Sequence, residues 1–159
     1  MIDCMAEKKL RCPVLILGIG NILLRDEGIG PRLIEALEKE ALPPGVELCD
    51  GGTAGGDLID VLAERQKVII IDSIDADGPP GTIFKLSQDD LAKPSPGISL
   101  HELGISETLE MTRQLSCAPR NVVIFGIKPA STEYGTELSA QVLAITPRLI
   151  TLVLTEARL

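Results

Sequence analysis

Three runs of consecutive apolar residues, Val14–Leu17, Val68–Ile71 and Val122–Phe125, constrain the fold more than any other feature of the chain. A strand with one wet face alternates apolar and polar residues, whereas a strand that is apolar at every position is covered on both faces. The runs are therefore expected to be central strands with helices packed above and below. The stretches between them have helical spacing: 31–40, with Leu33, Ile34 and Leu37 on one face, then 58–63, 102–115 and 136–156. Pro31 is tolerated near a helix start, where N–H groups have no intrahelical partner. Pro147 lies inside the last stretch and is expected to kink or split it. A short strand is expected at 46–49 and another, near an edge, at 82–86. This alternation predicts the α/β class: a three-layer sandwich around a twisted, mostly parallel sheet of about five strands. The 159 residues amount to one domain, with 1–12 as an N-terminal extension.

Composition narrows the function. Hydrophobic residues make up 45% of the chain, but its only aromatics are Phe84, Phe125 and Tyr134, so the core is aliphatic and no base-stacking platform can be built. A net charge of −8 repels phosphate backbones, which argues against nucleic acid as a partner. No apolar run approaches the roughly 20 residues of a membrane span. The N-terminus lacks a signal peptide's apolar stretch, so the expected location is the cytoplasm. Cys4, Cys12, Cys49 and Cys117 form no C-x-x-C pair; reduced thiols are expected, with Cys49 and Cys117 filling core volume.

In sheets of this class ligands bind beyond the carboxyl ends of the strands, so those ends carry the chemistry. Gly18-Ile19-Gly20-Asn21 follows the first run, but Leu23 stands where a dinucleotide fingerprint needs its third glycine, and no Gly-Lys-Ser/Thr follows. Asp26 and Glu27 then sit among glycines, either as favourable charge in a first helical turn or as site residues. Asp50 opens a segment with four glycines in the next six residues, more freedom than a turn requires; it either caps that turn or flanks a functional loop. Asp72 is delivered to the rim by four apolar residues, and a buried carboxylate there needs a hydrogen bond, an ion pair or a metal. A calcium loop over 72–78 fails on register, leaving Asp75 and Asp77 as solvated turn residues.

His101 is the chain's only imidazole. Ser99 and Glu102 fit a capping box that puts His101 in the first turn of a helix and makes Glu102 structural. No G-x-S-x-G elbow is present and no cysteine has an activating context, which disfavours nucleophilic catalysis. Glu27, Asp72 and His101 thus come from three segments that end at one rim, where they form an open, incomplete metal site. On residues alone, a zinc-type metallopeptidase or amidase with its own metal remains open, as does a non-catalytic metal-binding or nucleotide-binding module.

The run Leu17-Gly-Ile-Gly-Asn-Ile-Leu-Leu-Arg-Asp-Glu-Gly-Ile-Gly30 resembles the N-terminal signature of the NiFe-hydrogenase maturation proteases. Asp50-Gly-Gly-Thr53, the strand ending at Asp72, His101-Glu-Leu-Gly104 and Gly126-Ile-Lys-Pro129 follow in that family's order. The resemblance implies an endopeptidase, of the aspartyl type in its use of carboxylates, that removes the C-terminal extension of a hydrogenase large-subunit precursor once nickel is inserted. It maps the metal-contacting positions onto Glu27, Asp72 and His101, with Asp50 as a further candidate. It also implies that the nickel belongs to the substrate and serves as the recognition signal. A monomer is expected, because the precursor must reach an open rim.

Overall fold

A computed structural model describes residues 11–159 apart from 55, 94–96 and 100–104. In chain order the elements are β1 (Val14–Ile19), a 3-10 turn (Arg25–Gly28), α1 (Ile29–Leu37), β2 (Val46–Gly52), a second 3-10 turn (Gly56–Leu58), α2 (Ile59–Leu62) and β3 (Lys67–Ser73). There follow β4 (Asp75–Ala76), β5 (Ile83–Ser87), α3 (Gln88–Ala92), β6 (Ile98–Ser99), α4 (Ile105–Gln114), β7 (Asn121–Ile127) and α5 (Ala140–Glu156).

The main sheet has the order β2-β1-β3-β7-β5, parallel throughout except for β5, which runs antiparallel to β7 at the edge. This is the expected three-layer α/β sandwich. Successive side chains on a strand point to opposite faces, so each apolar run feeds two cores. On one face Ile16, Ile69 and Val123 pack with Leu33 of α1 and Leu149 and Val153 of α5. On the other, Leu15, Leu17, Val68 and Ile70 pack with Leu62 of α2 and Leu109 of α4. The chain steps from β1 to β2 on one side and then to β3 on the other, so the order reverses around β1. The crevice created by that reversal opens at the carboxyl ends of β1 and β3.

Several boundaries differ from the sequence reading. Helix α1 begins at Ile29, two residues early, because the whole first turn lacks intrahelical acceptors for its N–H groups and accommodates Pro31. Strand β2 continues three residues beyond Cys49, paired with the end of β1. Helix α5 starts at Ala140 rather than 136, capped by Ser139, whose Oγ accepts from the Val142 N–H (3.4 Å). Pro147 does not split α5. Pro147 and Leu143, whose carbonyl loses its donor, both lie on the exposed side of the helix, so the missing hydrogen bond does not fall in the core. The ribbon of β4 and β6, two residues each, and the five-residue α3 were too short to carry a period; α3 is instead defined by a Ser87–Asp90 capping box. Cys49 and Cys117 are half-buried rather than core-filling, Cys49 because it lies on the edge strand β2.

Candidate active site

Glycines set the geometry of the first acid pair. Gly20 has φ +139°, and a Cβ there would strike the Glu27 carbonyl. A Cβ on Gly30 would strike the backbone of Ile19 and that of Ile71. The glycine run therefore packs backbone on backbone: the 3-10 turn and the start of α1 lie directly on the ends of β1 and β3.

That turn presents its two acids in different directions. Asp26 is fully buried. Its Oδ2 accepts from the Ala130 N–H (2.8 Å), the Ser131 N–H (3.1 Å) and the Ser139 hydroxyl (2.8 Å), and its Oδ1 accepts from the Ser139 N–H (2.8 Å). Burial alone would raise its pKa, but these hydrogen bonds together outweigh burial and hold it below the usual value. Asp26 is thus a clamp on the segment between β7 and α5.

Glu27 lines a cleft of about 560 Å³ at the sheet's switch point, together with Asp72 at the end of β3. Asp72 is only 7% exposed. Burial pushes its pKa up to about 7; the Ser73 N–H pulls it down, and the charge of Glu27 pushes it up again. The electrostatic coupling means that the two carboxylates sense one another across the cleft. The sequence reading had placed Asp75 in a solvated turn. It is exposed but belongs to β4, lines the same cleft, and has Lys128 Nζ 3.7 Å from its Oδ1. Its pairing with Ser99 could not be read from spacing. Asn21 and Pro129, named from sequence only as parts of longer motifs, also line the cleft, as does Thr132, which carried no sequence signal.

The Gly52–Ala54 segment forms one cleft wall, and the Gly20 N–H ties to the Gly52 carbonyl (2.9 Å). Asp50 is exposed and outside the lining; its Oδ1 accepts from the Gly52 N–H (2.9 Å) and shapes the turn that makes the wall. His101, with its capping box, lies outside the described residues. Among the described residues no three His, Cys, Asp or Glu side chains group closely enough to hold a metal ion. Two of the three predicted donors are therefore together in one cleft, beside a chain segment that leads to the third.

Comparison with known proteins gives consistent matches. The HycI family, described as hydrogenase maturation protease, matches residues 31–156, beginning just after the acid-bearing turn. The chain is 42% identical over 123 residues to the hydrogenase 2 maturation protease of Escherichia coli, covering 76% of this chain and 75% of that one. It is 33% identical over 133 residues to the hydrogenase expression/formation protein HupD of Thiocapsa roseopersicina, covering 81% of this chain but only 60% of that protein's length. Among solved structures it resembles the hydrogenase maturating endopeptidase HybD from E. coli, with a TM-score of 0.80, 37% identity and 90% of each chain covered. It also resembles the [NiFe] hydrogenase maturation protease HybD from Thermococcus kodakarensis, with a TM-score of 0.76, 26% identity, and 91% and 99% covered.

Proposed function

Because the chain belongs to the hydrogenase maturation protease family, we propose that it removes the C-terminal extension of a NiFe-hydrogenase large-subunit precursor after nickel insertion, and that it recognises the nickel carried by that substrate. The observation that carries this reading is the Glu27–Asp72 pair: two carboxylates in one cleft, one of them held near neutrality. Burial and the charge of Glu27 disfavour ionisation of Asp72, and a divalent cation brought between the two carboxylates would reverse that preference. A precursor without nickel forfeits this gain.

His101 is the third donor of the proposed site. Ser99, two residues before it, is paired in backbone register with the cleft residue Asp75, and Ile105, four residues after it, lines the cleft. Imidazole and carboxylates suit nickel, and the ion supplies polarisation of the scissile carbonyl or of a water. A carboxylate oxygen of the pair not engaged by the ion would accept the water's proton. Asp50 acts indirectly, through the Gly52 turn that shapes the wall along which substrate backbone passes. The protein acts as a cytoplasmic monomer on one precursor at a time. The described residues contain no helix long and apolar enough to cross a membrane.

The test is incubation with nickel-loaded and nickel-free precursors, followed by mass spectrometry. Shortening of the nickel-loaded client alone is expected, and loss of shortening with Asp72→Asn or His101→Ala. An unchanged client mass in both cases overturns the peptidase reading. Normal processing by His101→Ala overturns the donor assignment. Stoichiometric zinc in the purified protein, with cleavage of unrelated peptides, replaces it with a self-contained zinc peptidase.

A further inference from the structure

Three of the seven large apolar side chains left exposed among the described residues, Ile22 (43% exposed), Leu23 (57%) and Tyr134 (93%), belong to two loops that each carry a cleft-lining residue. Ile22 and Leu23 follow the lining residue Asn21 directly, and Tyr134 lies two residues beyond the lining residue Thr132. The two loops are tied together: Leu24 and Gly135 form a parallel bridge, the Gly135 N–H donates to the Leu23 carbonyl (2.9 Å) and the Arg25 N–H donates to the Gly135 carbonyl (3.0 Å). Asp26 clamps the same loop at Ala130, Ser131 and Ser139. The fold thus spends a buried carboxylate and a set of backbone hydrogen bonds on holding outward side chains that do little for its own core. Tyr134, one of only three aromatics in the chain, makes almost no use of its ring internally.

We infer that this lip is a docking surface for the client protein, gripping an apolar patch of the precursor that lies outside the segment to be cut. The inference rests on the peptidase reading of the cleft. A protein client whose chain enters between Glu27 and Asp72 must pass the residues that frame that opening, and the lip is continuous with them through Asn21 and Thr132. An exposed aromatic beside aliphatic residues, on loops tied by backbone hydrogen bonds, has the usual composition of an interface anchor. An apolar surface on the client is the matching chemistry, because none of the three lip side chains carries a charge.

The test compares wild type, Tyr134→Ser, the Leu23→Ser/Tyr134→Ser pair and Leu143→Ser, a control at an exposed apolar position on α5. Each is assayed by thermal unfolding and by steady-state processing of nickel-loaded precursor. The expected result is a wild-type Tm for all three variants, with KM raised about tenfold in the paired variant and kcat within about twofold. The control is expected to keep the wild-type KM. A paired variant with wild-type KM, or a control that loses as much, overturns the docking surface while leaving the peptidase reading intact. A wild-type protein that leaves the precursor uncut overturns the underlying reading instead.

Discussion

Asp26 and Glu27 are neighbours in one short turn and have opposite fates. Asp26 turns into the protein and satisfies four donors from a loop more than a hundred residues away. Glu27 turns outward to the cleft. Spacing alone left both either as first-turn acids or as site residues, since Asp26's partners are long-range and leave no local pattern. Replacing Asp26 with Ala leaves those donors buried and unpaired, so it should cost about 3–5 kcal/mol in denaturant unfolding. The stability contributed by Asp26 is present above its unfolded pKa and is lost as pH falls through the lower folded value. Asp72 has the opposite sign. Its folded pKa of about 7 exceeds the ordinary 3.8, so the folded state binds the extra proton and stability declines as pH rises between those values. Asp72→Asn should therefore raise the Tm at pH 8, with a gain on the order of a few kcal/mol. The difference should vanish below about pH 4, while processing is lost at every pH. Asp72 was legible because four apolar residues in front of it fix both its burial and its position. His101, singled out as the lone imidazole at an expected helix start, lies outside the described residues.

Elements were readable in proportion to their length and burial. The all-apolar runs became β1, β3 and β7, and their double-sided coverage followed from composition at each position. The edge position of β5 followed from its alternation. The β4–β6 ribbon had no such signal, because two-residue strands are held by register with each other and have no face of their own. The start of α1 was hidden for a different reason. Its placement depends on glycines that admit neighbouring backbone, a tertiary fact written as a local composition. Gly30→Ala should expose this dependence. The added methyl meets the Ile19 and Ile71 backbone, so it must push α1 away from the sheet and carry Glu27 with it. A loss of about 1–3 kcal/mol in unfolding free energy, with processing reduced more than tenfold, is expected from denaturation and precursor assays.

At the scale of the whole molecule, the site stands on the strands with most support. β1 and β3 are internal to the sheet and sandwiched by both cores, whereas the β4–β6 ribbon has only one pairing partner per strand. Amide exchange in β1, β3 and β7 should report global unfolding, and Ala76 and Ile98 should exchange at least about a hundredfold faster. Equal protection of the ribbon and the central strands would contradict this ranking.

The Asp26 clamp has one further consequence. It ties the loop bearing Tyr134 to the residue beside Glu27, so the proposed foothold and the cutting point behave as the two arms of a fixed calliper. Such a calliper measures a length rather than spelling out letters. Lengthening the client between its apolar patch and its cut should move the break by the same number of residues, whatever residues are inserted.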